Sequence, residues 1–349
     1  MYVAVYSCLV AAGFVARDRG GLVWLIGACA FLLWFMGWRF EVGCDFTGYY
    51  YRFVNVPVEF YLLDALDGHE PAFELLTVAI RIAGLEYLWL NVAASAIILA
   101  GYFAFLRMHQ NPLMILALLF PIMILQLSMS GIRQGIAVAL VMVASVFFMR
   151  GWRILTGLCI VLAAQFHASA VILLPLAFLA GQRVSPTRLI LGVILLAPVA
   201  AVLLADRLEV YEDRYINQIY GQVTSGGGVI RFVLILLPAL FFVAFRVRLR
   251  AAYPAQYDIL MLMTLFAFAL IPVALYSPII LHRLNFYVMP FSIVSFVYLS
   301  QIIFVESQRH IGRLLPPLVY GTYMIGWLST SRHADLCYLP YQNYLFSAT

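Results

Sequence analysis

Residues 112–149 read PLMILALLFPIMILQLSMSGIRQGIAVALVMVASVFFM, two apolar runs parted by Met129-Ser130-Gly131 and holding one charged side chain, Arg133. A membrane-crossing helix needs about 20 apolar residues, with about 17 to 25 as the usual range. The runs 112–128 and 132–149 both reach that length. In hydrocarbon only helices and closed barrels satisfy their backbone groups, and barrel strands alternate polar and apolar residues. Neither run alternates, so both predict helices.

The rest of the chain agrees with this stretch. Of its 349 residues 65% are hydrophobic and 11% charged, and the mean hydropathy is +0.98. A soluble domain is about half apolar and about a quarter charged, and a disordered chain needs low hydrophobicity and high net charge. Both classes are excluded. Spans are expected at 2–16, 21–38, 87–106, 112–128, 132–149, 153–166, 168–182, 188–205, 229–245, 256–276, 286–305 and 313–330. The first lacks the basic leader and cleavage site of a signal peptide. The expected fold is all-α: one polytopic membrane bundle of about twelve helices over 1–349. Its longest connections are 39–86, 206–228 and 331–349.

All basic residues are arginine, and the formal net charge is +5. Their scatter between apolar runs makes no basic face, which argues against nucleic acid as a partner. Basic residues gather on the cytoplasmic side of short loops. With both termini outside, the cytoplasmic side receives twelve arginines and three acids, and the outer side nine arginines and thirteen acids. All three long connections then lie outside. Cys44 and Cys337 fall near loops with no CxxC or metal spacing; a disulfide between them is the alternative, but unpaired thiols are favoured. Ser225-Gly226-Gly227-Gly228 carries no phosphate-loop context and predicts a hinge or lid.

Ionisable groups at membrane depth mark functional sites by default. Here they share the outer ends of the spans: Arg39, Glu41 and Asp45 after the second, Glu70 opening an amphipathic helix, and Arg133 starting the fifth. His167 follows at the turn between the sixth and seventh, and His282 and Arg283 precede the eleventh. A transporter tends to place its polar site at the midplane, whereas an enzyme acting on a lipid headgroup needs its polar atoms at one interface. The pattern favours the enzyme. Arg39 by itself reads more readily as an interfacial anchor than as a catalytic group, whereas His167 reads equally as a hydrogen-bonded turn residue or a base, and Arg39–Asp45 equally as a salt-bridged loop or a substrate-binding turn. Arg133, beside small residues, suits a diphosphate because its planar fork binds two oxygens at once. His109, His310 and His333 flank charged loops and are expected to be solvated. No metal-ligand spacing occurs.

Four motifs and a late arginine occur in order: R-x-E-V-G-x-D-F-x-x-Y at Arg39 to Tyr49, E-P-x-F at Glu70 to Phe73, S-x-I-R-Q-G-I-A at Ser130 to Ala137, F-H-x-S-A at Phe166 to Ala170, and Arg283 before a span. In these the chain resembles the EpsG-like, Wzy-type polymerases of bacterial exopolysaccharide and capsule assembly. It departs at Gly131, Cys44 and Ala168, none of them charged. The resemblance implies a multi-pass inner-membrane glycosyltransferase, similar to others that use polyprenyl-linked donors. Its partners would be membrane lipid and a glycan on undecaprenyl diphosphate, with a chain-length regulator and a flippase of the same pathway. It would join repeat units at the periplasmic face, inverting the anomeric carbon, with no cofactor and no metal.

On that reading Arg133, Arg283 and Arg39 hold the diphosphate. Asp45 or His167 takes the acceptor proton, and Glu41, Glu70, Gln134, His282 and Tyr49 contact substrate. A glycan ligase using the same donor, or a flippase or exporter of the lipid-linked glycan, is the alternative.

Overall fold

The computed structural model describes residues 1–16, 21–57, 70–182 and 226–346, with a few positions between 187 and 194. Among the described residues no strand occurs, only a bridge pairing Arg39 with Asn343. Among the described residues five helices are long and apolar enough to cross a membrane: Tyr87–Leu106, Ile132–Met149, Gly227–Ala244, Pro254–Leu275 and Ile280–Ile302. Shorter apolar helices lie at Tyr2–Val15, Gly21–Gly37, Pro112–Ser128, Arg153–Phe166 and Ala168–Leu179. Each span expected from sequence falls on one of these or on Arg309–Thr330, except 188–205, most of which lies outside the described residues. By length and apolarity only five of these helices qualify as crossings. Most of the expected outer segment 206–228 also lies outside the described residues.

The chain forms two compact units: residues 1–143, 162–167 and 315–349 make the first, and 144–161 and 168–314 the second. In the first, α1 (Tyr2–Val15), α2 (Gly21–Gly37), α3 (Phe46–Val54), α4 (Pro71–Ile82) and α5 (Tyr87–Leu106) precede α6 (Pro112–Leu119), which continues as a π-helical stretch, Phe120–Ser128. Every residue from Leu113 to Met129 is buried. A helix apolar on all sides belongs in the middle of its neighbours, and α6 packs against α1, α2 and α5. Pro121, which has no amide proton, sits where the ladder widens to π spacing. Small residues allow the close packing: a Cβ on Gly13 would stand 3.0 Å from Met114, and one on Gly101 2.8 Å from the Ala139 carbonyl oxygen.

α7 (Ile132–Met149) and α8 (Arg153–Phe166) follow. In the second unit, helix Gly226–Ala244 packs along Pro278–Ile302, which also packs on Pro254–Tyr276. Tyr253 and Tyr298 stack with centroids 3.7 Å apart, and the Tyr253 hydroxyl donates to Gln301 Oε1 at 2.9 Å. The glycines read as a hinge instead form the first turn of helix Gly226–Ala244. The apolar run that follows them carries the helix back to its start.

Candidate active site

Glu70 is the residue before α4, where Pro71 takes the first helical position and its missing N–H costs nothing. Its side chain is 7% exposed. One carboxylate oxygen, Oε1, lies 2.8 Å from His167 Nδ1, and the other, Oε2, accepts from Arg133 Nη1. A buried carboxylate held by two partners is a paired charge rather than an orphan. It also sets the histidine tautomer: with Nδ1–H donating to Glu70, Nε2 is the basic ring nitrogen.

His167 directly follows α8, and its amide still donates to the Ala163 carbonyl at 2.9 Å. That last helical turn fixes the backbone that aims the ring. Arg133 occupies the first turn of α7, 35% exposed in its side chain, so part of its guanidinium is open to a ligand. Its Nε donates to the Tyr49 hydroxyl at 3.4 Å, and its cationic carbon stands 5.6 Å from the Tyr49 ring and 6.0 Å from the Phe73 ring. The two rings, their centroids 5.5 Å apart, form an aromatic wall against the guanidinium. Burial pushes the Tyr49 hydroxyl well above its ordinary pKa, opposed by Arg133 and reinforced by Asp45, so Tyr49 acts as a neutral acceptor. Gln134, next to Arg133, is buried at 8% exposure.

The loop before α3 docks against the turn before α7. Gly43, at φ +104°, lies so close that a Cβ there would stand 1.9 Å from the Met129 carbonyl oxygen. Only glycine combines that backbone with that approach. The docking brings Asp45 beside Gly131, whose ideal Cβ lies 4.0 Å from Asp45 Oδ2. Asp45 and Glu41 are exposed, and Glu41 adopts φ 52°.

Arg39 differs from the expectation that it holds diphosphate. It is 1% exposed, and its Nε and Nη1 donate to the Val42 and Met36 carbonyls of its own loop. Burial lowers its pKa, with the nearby tyrosines opposing. In the structure Arg39 ties down the carbonyls of its own loop.

Two further expectations are corrected. Cys44 and Cys337 form a disulfide across 293 residues. The C-terminal segment straps the same loop through Gly43 N–H to the Cys337 carbonyl at 2.8 Å and Phe40 N–H to the Gln342 carbonyl at 3.1 Å. Folding, not spacing, brings the cysteines together. His109 is buried at 7% exposure and packs on Phe105 with centroids 4.4 Å apart; burial lowers its pKa to about 3, so it is neutral.

The first unit therefore gathers Glu70, Arg133, His167, Tyr49, Asp45 and the Arg39 loop, which are residues of four separate motifs. A family pattern described as the EpsG family matches residues 22–343, a stretch containing all of them. The chain belongs to the EpsG family. No curated protein and no solved structure matches it.

In this EpsG-family chain the remaining expected residues belong to the second unit. His282 and Arg283 lie in helix Pro278–Ile302, half-buried. His282 Nδ1 is 2.8 Å from Arg231 Nη2, and Arg231 also stands 5.4 Å from the Phe286 ring centroid. Arg231 is buried, with 8% of its surface exposed. Sequence reasoning missed it because it falls within an apolar run; a lone arginine near the outer end of a span was the available signal.

Proposed function

We propose that this chain is a polysaccharide polymerase that joins undecaprenyl-diphosphate-linked repeat units at the periplasmic face of the bacterial inner membrane. The observation that carries the reading is the Glu70 carboxylate shared between His167 and Arg133. It couples a group able to take a proton to a group able to hold a diphosphate, the two needs of glycosyl transfer from a lipid diphosphate.

In this mechanism His167 Nε2 accepts the proton of the acceptor hydroxyl as that oxygen attacks the anomeric carbon of the donor glycan. The bond from that carbon to the carrier diphosphate breaks from the opposite face, so the configuration inverts. Glu70 orients the ring and stabilises the imidazolium that forms, as a carboxylate does behind a catalytic histidine. The departing diphosphate takes charge-assisted hydrogen bonds from the open part of Arg133. Asp45, exposed beside the α7 entrance, positions the acceptor. Sequence left the base open between Asp45 and His167; the buried carboxylate behind His167 favours the histidine.

The disulfide supports the outward orientation. Disulfides persist in oxidising compartments, and Cys44 and Cys337 both fall on the side that the arginine count makes periplasmic. The test is incubation of the purified protein with a synthetic polyprenyl-diphosphate repeat unit. A ladder of lengthened glycans is expected; a single transfer step indicates a ligase, and carrier movement across vesicles without lengthening indicates a flippase.

A further inference from the structure

Beside the proposed catalytic group, α3, the residues just after it and α4 line an open cleft of about 300 Å³, at the lower end of the range for small-molecule sites, about 300–1,000 Å³. It lies wholly in the first unit. Arg52 and Asn55 enter it from the end of α3, and Glu74 and Thr77 from α4, with Val56 and Val78 as apolar wall. Glu70, Glu74 and Thr77 share one helix face by their spacing of four and three, so the cleft begins about 6 Å along the axis from Glu70.

The chemistry of the lining selects the ligand. Arg52 Nη2 and Glu74 Oε1 pair at 2.5 Å, with side chains 43% and 18% exposed. The guanidinium and carboxylate balance in charge, so the cleft does not attract a diphosphate, and the Glu74 carboxylate repels one. A partly exposed ion pair contributes little and opens easily. Its forked donor and two-oxygen acceptor match the neighbouring hydroxyls of a sugar ring, Asn55 adds an amide, and Val56 and Val78 suit the ring's C–H face. The Thr77 hydroxyl already donates to the Phe73 carbonyl at 2.8 Å, which leaves its oxygen as an acceptor.

We propose that this cleft is a sugar-binding subsite, holding a neutral hexose of the glycan next to the ring that reacts at His167. The placement rests on the function proposed above, whereas the binding does not.

The test separates the two. Saturation-transfer NMR would use full-length protein in nanodiscs and the carrier-free repeat-unit oligosaccharide as probe, comparing wild type with Glu74→Gln and Asn55→Ala. Wild type should show saturation of the sugar protons and both variants should weaken it, with KM for the lipid-linked unit raised about tenfold and kcat within about twofold. Because Glu74→Gln also removes the α3–α4 ion pair, Asn55→Ala guards against a folding effect. No oligosaccharide signal in wild type, or an undiminished signal in both variants, overturns the subsite. Wild-type binding that is lost in the variants, in a protein that makes no polymer, keeps the subsite and removes the polymerase reading.

Discussion

His167 Nδ1 lies 2.8 Å from the Glu70 carboxylate, across 97 residues of sequence and inside one compact unit. The contact fixes which ring nitrogen is basic, and most of the proposed chemistry depends on it.

Glu70→Gln keeps the shape of the side chain but removes the charge that stabilises a developing imidazolium. The expected result is a fall in kcat of about 10²- to 10⁴-fold with the protein still folded. Initial rates of glycan transfer, paired with a thermal melt, check it; near-wild-type kcat would remove Glu70 from the mechanism.

Arg133→Ala should lower kcat by about 10²- to 10³-fold, the usual cost of removing one donor to a leaving-group oxyanion. Arg133→Lys should recover only part, since an ammonium cannot serve Glu70, Tyr49 and a diphosphate in one plane. Equal rates for Lys and Arg would show that only charge matters there.

Gly43→Ala must meet the Met129 carbonyl oxygen at 1.9 Å while holding φ at +104°. The left-handed backbone alone costs about 1–2 kcal/mol for an L-residue, and the overlap forces the 39–45 loop off the 129–131 turn. A lowered melting temperature and loss of activity are expected; a melting curve unchanged from wild type would contradict the docking.

Cys337→Ser should lower thermal stability by about 2–4 kcal/mol, as for removal of other long-range disulfides. It should also loosen the strap over the Arg39 loop. Thiol labelling with a membrane-impermeant maleimide in intact cells, before and after reduction, checks both pairing and side. Labelling of Cys44 without reductant would contradict the bond.

The helices were legible from sequence because apolar length is a local property: 112–128 and 132–149 can be read without knowing their neighbours. The site was legible in part. Arg133, His167 and Glu70 each stood out as ionisable groups at the ends of spans, yet their connection is a matter of packing. Glu70 reads as a substrate contact, and in the structure its carboxylate bridges His167 and Arg133. Arg39 stood in a conspicuous motif, but its guanidinium turns into its own loop to satisfy carbonyls, a choice no spacing encodes. The Cys44–Cys337 pair could be named from sequence as the two loop cysteines but not favoured, because 293 residues separate them. Arg231 was hidden by the apolar run around it.

The central claim is that His167, aligned by Glu70, is the base for glycosyl transfer. Its most direct measurement is polymer formation from a synthetic polyprenyl-diphosphate repeat unit by purified wild type and His167→Ala side by side. A glycan ladder is expected from wild type and none from the variant, although the variant still binds the lipid diphosphate. An undiminished ladder from His167→Ala would contradict the claim.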